Sequence, residues 1–377
     1  MCCSMNLRRP DRREKVVPEK VKFRRMFVVV GSTLALLASF FAYSKSRYHW
    51  SVMARKIALE VKYQLMGMRE TILDLAQARH NKTDLPRKNG CVAIITGGSR
   101  GIGEVVVKMF LQCDIDVIIA CRRIEAGEKA IENIRKSGTT TGKAAVYRLD
   151  NSSLASVREF AEEIKRDYSK VDILVNNAGV MFPPYQETVD GFEQQWAVNY
   201  LSHFLLTALL MPLLRNAGSS ENSARVVNVS SCAHGLGEIN FNDINYKAPY
   251  FANAAYAQSK LAQILFTKSL DQISREKKLP IRAYAVHPGI VDTELFENSF
   301  IDKLTWIRAL FFKTPRQGAT TIVYAAVNKG LEDRGGVYLS NCLEVAASPL
   351  AEDKSVQEKL MALSLEQTHL TNFLQYL

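Results

Sequence analysis

Between Met26 and Tyr43 the chain reads MFVVVGSTLALLASFFAY, with no charged residue. Its 18 residues, at about 1.5 Å each, make a helix of about 27 Å, close to a bilayer core of roughly 30 Å. Arg24 and Arg25 precede the run, Lys45 and Arg47 follow it, and Tyr43, Tyr48 and Trp50 form an aromatic rim, the flanks of a transmembrane anchor. The long amino-terminal flank and the sequence FAYSKS, which lacks a small-x-small pattern, argue against a cleaved signal peptide. Over residues 51–80 the pattern changes. Ile57, Val61, Leu65, Met68, Ile72 and Leu75 recur at three- to four-residue steps among Lys, Arg and Glu, which predicts an amphipathic helix lying on a membrane or packing on a domain. The polar stretch 81–90, with Pro86, marks a boundary. Beyond it come short Val/Ile-rich runs, CVAIIT, DVIIAC, AAVYRL, DILVNN, RVVNVSS and RAYAVH, separated by helical stretches. That alternation predicts an α/β domain with a parallel sheet covered on both faces. The predicted organisation is a basic tail (1–25), an anchor (26–43), a linker helix (44–88), the α/β domain (89–345) and a C-terminal helical extension (346–377).

Composition adds little to this and charge adds one point. With 47% hydrophobic and 23% charged residues in 377, the chain can build a sizeable core. The net charge of +11 is uneven: residues 1–25 hold 9 Lys/Arg against 3 Asp/Glu. A basic tail beside an apolar run is a topology signal, so nucleic acid is not an expected partner, and the bias predicts a cytosolic tail with a lumenal α/β domain. The sequon Asn81-Lys82-Thr83 is expected on an open linker, where a glycan would do no harm. The 7 cysteines show no CxxC spacing. They are expected as core side chains with no metal site, apart from Cys2 and Cys3, which near a membrane could be acylated.

The first strand-like run leads into Thr96-Gly97-Gly98-Ser99-Arg100-Gly101-Ile102-Gly103 and then a helical stretch. Glycines at 97, 101 and 103 allow a tight turn and close approach of a pyrophosphate to a helix N-terminus. In this strand-turn-helix setting the motif predicts a Rossmann-type, doubly wound dinucleotide fold. The second strand ends in Arg122 and Arg123, where an acidic residue would hold a ribose 2′-hydroxyl, and Arg100 lies in the turn. Guanidinium groups there suit a 2′-phosphate, so NADP(H) is the expected cofactor and NAD(H) the alternative.

Tyr256 and Lys260 are four apart in a helical pattern and share one face. A neighbouring ammonium is expected to lower the phenol pKa so that it exchanges a proton with a reacting oxygen. Ser231 ends a strand 25 residues before Tyr256 and can hold that oxygen. Asn199 lies in the run GFEQQWAVNYLSHFLLT, and no His/Asp pair is placed to make Ser231 a nucleophile.

The glycine turn, Asn176-Asn177-Ala178-Gly179, Asn199, the trio Ser231, Tyr256 and Lys260, and His287-Pro288-Gly289 together resemble the short-chain dehydrogenase/reductase family over about residues 89–345. The resemblance implies that Tyr256 is the general acid/base, that Lys260 assists it and binds the nicotinamide ribose, and that Asn199 holds a relay water. It further implies that Asp150 contacts the adenine, that Asn177 and Gly179 support the cofactor, and that Pro288, Gly289 and Thr293 border the nicotinamide, with Ser99 and Ile102 in the phosphate turn. FANAAYAQSKLAQILFT and LFFKTPRQGATTIVYAAV look like the retinol-dehydrogenase branch and its polyprenol-acting members. The implied substrate is a lipid alcohol or its aldehyde. Steroid or 3-ketoacyl reduction is an alternative, as is a dinucleotide-binding scaffold without catalysis. The expected setting is the endoplasmic reticulum membrane, with lipid droplet or mitochondrial outer membrane as alternatives; a homodimer is compatible with it. The apolar run Phe300–Phe312 is expected as a substrate-covering segment or a core helix.

Overall fold

A computed structural model of the chain describes residues 50–219, 221–293 and 312–377. The chain divides into Met1–Arg55 and Lys56–Leu377; of the first unit, the described part is the start of helix α1 (Trp50–Ala76). The anchor expected over 26–43, Cys2 and Cys3, and Phe300–Phe312 except its last residue lie outside the described residues.

The second unit alternates strand and helix: β1 (Val92–Thr96), α2 (Gly101–Gln112), β2 (Asp116–Cys121), α3 (Ile124–Lys136), β3 (Ala144–Arg148), α4 (Leu154–Asp167), β4 (Ile173–Asn176), α5 (Gln194–Ala217), β5 (Ala224–Val229), α6 (Ala252–Glu276), β6 (Ile281–His287), α7 (Pro315–Val327), β7 (Val337–Ser340), β8 (Leu343–Glu344) and α8 (Lys354–Gln367). The sheet has 8 strands in the order β3-β2-β1-β4-β5-β6-β7-β8. All are parallel except β8, which pairs antiparallel with β7. The central strands are unbroken apolar runs because helices bury both their faces. The order reverses between β1 and β4, and a crevice opens there at the carboxyl ends of the strands, the usual ligand position in such sheets.

One face is covered by α4, α5 and α6, the other by α2 and α7. Under the first, Tyr200, Phe204, Phe266 and Phe373 pack ring on ring. Leu360, Leu370 and Phe373, from the stretch expected as an extension, belong to that same core. Helix α5 is long and apolar enough to cross a membrane, but 94% of its apolar window is buried; it is a core helix.

One expectation is narrowed and one corrected here. On α1, expected either on a membrane or against the domain, the apolar stripe is not packed into the domain: Leu65 is 59% exposed, Ile72 45% and Leu75 47%, with Ile57, Val61 and Met68 half-buried. The opposite face packs instead, through Tyr63, Met66 and the buried Asp74. Asn81 is not open either. Its Nδ2, the atom a glycan would occupy, donates to the Gln317 carbonyl at 2.9 Å, and its Oδ1 accepts from Thr321.

Candidate active site

The glycine turn follows β1 as expected. Gly97 and Gly101 have φ of +67° and +59°, backbone that L side chains adopt at a cost. A Cβ on Gly103 would stand 2.2 Å from the Gly97 carbonyl oxygen, which is how closely α2 approaches the turn. Arg100 caps α2 without a side-chain bond to the helix amides, so the first-turn N–H groups remain suited to an anion. The Cys121 thiol, raised by burial and lowered in part by the neighbouring Ser99 hydroxyl, lies behind the turn, and Ile102 packs half-buried on the core. Asn177 ties β4 to the turn: its Nδ2 donates to the Thr96 carbonyl at 2.9 Å, and the amides of Asn177 and Ala178 donate to Thr96 Oγ1. A Cβ on Gly101 would lie 3.6 Å from the Thr293 methyl, placing Thr293 against the same turn. Arg100, Arg122 and Arg123 are exposed at the rim. Asp150 follows β3 and accepts from the amide and hydroxyl of Ser152. This cradle fits a dinucleotide.

At the end of β5, Ser231 opens a tight turn and accepts from the Ala233 amide at 3.2 Å. Burial pushes the Tyr256 phenol pKa up, and the neighbouring Ser231 hydroxyl pulls it part of the way back down. Lys260, one turn along α6, stands 5.5 Å from the Tyr256 ring centroid and donates to the Val229 carbonyl at 2.9 Å. In this arrangement the Lys260 ammonium is turned to a carbonyl, and Ser231 is the neighbour that lowers the phenol pKa. Gly179 keeps open the space beside this lysine, since a Cβ there would be 3.7 Å from Lys260 Nζ and 3.3 Å from Asn199 Oδ1.

Burial pushes the Lys260 ammonium down to about 8 from its ordinary 10.5. The unfolded chain therefore holds more protons between those values, and the penalty for burying this lysine fades as pH rises through that window. The stability advantage of Lys260→Met in the cofactor-free protein is accordingly expected to shrink from pH about 8 to about 10.5, read as the gap between the two denaturation midpoints; a gap constant with pH would contradict it.

Asn199 sits in a π turn, Ala197–Leu201, inside α5. Its Nδ2 donates to the Val180 carbonyl and Ser259 hydroxyl at 3.0 Å each, and its Oδ1 accepts from the Val180 amide at 2.8 Å. Its backbone carbonyl accepts from Gln263 and contacts His203 Nδ1 at 3.1 Å. Burial pushes His203 down to about 3, so it is neutral, and its Nε2 meets Thr96 Oγ1 at 2.9 Å. The network requires Nδ1 to carry the proton, which links the glycine turn to Asn199.

Sequence reasoning did not single out His203, Gln263 or His234. His234 Nδ1 lies 2.7 Å from the Ser231 carbonyl, its Nε2 accepts from the Ser348 amide at 3.0 Å, and together these fix the Ser231 turn. Cys232, next to Ser231, is pushed up to about 12 by burial and stays a thiol. His287 is pushed down to about 4 by burial and accepts from the Cys232 amide. Pro288 and Gly289 follow it, with Gly289 at φ +91°.

Helix α1 closes one side. Tyr63 donates its hydroxyl to the Asn253 carbonyl at 2.7 Å and meets Phe182 edge-on at 5.7 Å, and Phe182 meets Tyr256 the same way at 5.5 Å. Tyr63 and Met66 pack against Met181, Ala233 and Tyr256. Lower on the helix, Asp74 pairs with Lys313 at 2.9 Å, both buried, and accepts from the Ile290 amide and Asn341 Nδ2. A Cβ on Gly289 would come 2.5 Å from Lys313 Nζ and 2.7 Å from Asp74 Oδ2. This pair therefore fixes α1 to the Pro288-Gly289 turn.

Comparison with known proteins agrees with this architecture. A family model described as short chain dehydrogenase matches residues 91–303. A polyprenol dehydrogenase of Danio rerio is 38% identical over 304 residues, 80% of this chain and 93% of that protein. Retinol dehydrogenase 12 of Mus musculus is 41% identical over 278 residues, 74% of this chain and 86% of that one. Among solved structures, an uncharacterized protein from Mycobacterium paratuberculosis aligns with TM-score 0.62 and 34% identity, over 77% of this chain and 97% of that chain. The RhlG/NADP complex of Pseudomonas aeruginosa aligns with TM-score 0.55 and 26% identity, over 67% and 95%. With the glycine cradle and the Ser231-Tyr256-Lys260 cluster meeting at one sheet crevice, the chain belongs to the short-chain dehydrogenase family.

Proposed function

We propose that the chain interconverts an apolar alcohol and its aldehyde or ketone by hydride transfer with NADP(H). The observation that carries this reading is the Ser231 hydroxyl set beside the Tyr256 phenol, with Lys260 one turn on, at the carboxyl end of the sheet, one side of it walled by Tyr63, Met66, Met181 and Phe182. The dinucleotide, when bound, supplies or takes the hydride; the protein positions and protonates. Ser231 holds the substrate oxygen, and Tyr256 gives it a proton in reduction or takes one in oxidation. Lys260, near the phenol in a buried site, binds the ribose and presents a positive charge to the phenolate as it forms. Asn199 shapes the floor beside Lys260.

Arg100, Arg122 and Arg123 support the phosphorylated cofactor. Arg122→Asp is expected to reverse the NADPH-over-NADH ratio of kcat/KM by about tenfold or more, the scale of one lost charge-assisted contact; an unchanged ratio removes Arg122 from this role. The apolar wall, with the names of the retinol and polyprenol dehydrogenase relatives, supports a retinoid or polyprenoid alcohol. The uncharged run at 26–43 supports a single-pass protein of the endoplasmic reticulum membrane. The deciding experiment follows reduced nicotinamide absorbance with retinal, a polyprenal and a steroid ketone. Turnover of the first two supports the reading, turnover of the steroid alone moves it to steroid reduction, and no turnover with cofactor bound overturns it in favour of a binding scaffold.

A further inference from the structure

We infer that the outer face of α1 docks on a lipid bilayer while its inner face walls the catalytic pocket, so that a membrane-dissolved alcohol reaches Tyr256 along this helix. The docking half stands on the helix alone; the delivery half rests on the oxidoreductase reading above.

The helix is inverted relative to a surface helix of a water-soluble protein. Such a helix buries its apolar stripe and presents charge to water. Here the buried side carries the Asp74 carboxylate and the bonded Tyr63 hydroxyl, and the outward side carries leucine and isoleucine. At 100° per residue Ile57, Val61, Leu65, Met68, Ile72 and Leu75 fall within an arc of about 80°. Leu65, Ile72 and Leu75 account for 3 of the 10 large apolar side chains most exposed among the described residues. Ile57, Val61 and Met68 on the same arc are half-buried; scattered exposed apolar residues need no explanation, but three aligned on one helix face mark a surface that something covers.

Charge and chain order identify lipid as the occupant. Lys62 and Arg69 are both exposed and border one edge of the stripe; Arg69, ion-paired to Glu70, is still 72% exposed. Cations beside an apolar helix face suit phosphate headgroups above acyl chains. The helix also begins 7 residues after the end of the uncharged Met26–Tyr43 run, so the same chain carries a bilayer-length apolar segment immediately upstream. On the inner side Tyr63 and Met66 reach the cluster around Tyr256, and an alcohol held by the outer face lies one helix diameter, about 10 Å, from the pocket wall.

The test uses the full chain in phosphatidylcholine/phosphatidylserine vesicles doped with a photoactivatable diazirine lipid, with adducts mapped by peptide mass spectrometry. Adducts on the outer positions of residues 57–75, lost in the triple variant Leu65→Glu, Ile72→Glu, Leu75→Glu, are expected. Adducts confined to residues 26–43, or cross-links joining two copies through the stripe, overturn the docking. In the same vesicles the triple variant is expected to lose at least tenfold in kcat/KM for retinol while keeping its rate on a short water-soluble alcohol; equal losses on both overturn the delivery route. A wild type that turns over neither alcohol defeats the oxidoreductase reading and leaves the adduct result to decide the docking by itself.

Discussion

Tyr256→Phe is expected to lower kcat by about a hundredfold to ten-thousandfold, the range that a positioned general acid/base contributes, while cofactor affinity stays near wild type. The substitution removes one oxygen and keeps the ring, so the edge-on contact with Phe182 survives and the fold loses little beyond the phenol's approach to Ser231. Turnover assays, together with NADPH binding followed by fluorescence, check the two halves. A variant within tenfold of wild type would mean that another group moves the proton. Cys232 is unsuited, because burial holds it as a thiol. His287 is unsuited for the same reason, because burial holds it down at about 4, neutral and a weak base.

Asp74→Ala is expected to destabilise the protein by about 3–5 kcal/mol, the cost of leaving one member of a buried ion pair without its partner. Lys313 would keep only the Asn341 side-chain oxygen at 2.7 Å and the Pro288 carbonyl at 3.4 Å, and the Ile290 amide would lose its acceptor. Denaturant midpoints measure the loss. The double variant Asp74→Leu, Lys313→Met removes both charges, and apolar replacement of a whole buried pair is often neutral, so it is expected to be more stable than Asp74→Ala alone. If the double variant is the less stable of the two, the pair contributes more than its charge balance. Because Asp74 lies on α1 and Lys313 beside Gly289, loosening the pair is also expected to raise KM for apolar substrates.

Much of the site was legible because its signals are local. The glycine turn reads as strand-turn-helix within eight residues, Tyr256 and Lys260 share a helix face by spacing alone, and six of the strands announce themselves as Val/Ile runs between helices. What was not legible depends on distant contacts. Strands β7 and β8 are too short to stand out, and only pairing with β6 makes VYLS a strand. The Asp74–Asn341 bond joins residues 267 apart, and the Tyr63–Asn253 bond residues 190 apart; no periodicity foretells either. The facing of α1 stayed open between membrane and domain for the same reason, since an apolar stripe shows where a helix avoids water without showing what it avoids water against. The sequon at Asn81 misled because a three-residue motif carries no information about Gln317.

The π turn at Asn199 has a consequence for the length of the chain. A π turn houses one residue more than the α-helical register needs, so α5 carries an extra residue at the level of the crevice. Deleting any one of residues 197–201 would return the helix to even winding and keep its apolar C-terminal half in the core. Because the bulge absorbs that residue's turn, the flanks would keep their faces and Gln195 would still reach Tyr250 and the Ala252 carbonyl; what the deletion disturbs is the bulge itself, where Asn199 bonds Val180 and Ser259. The helix can spare that residue; the seat of Asn199 cannot.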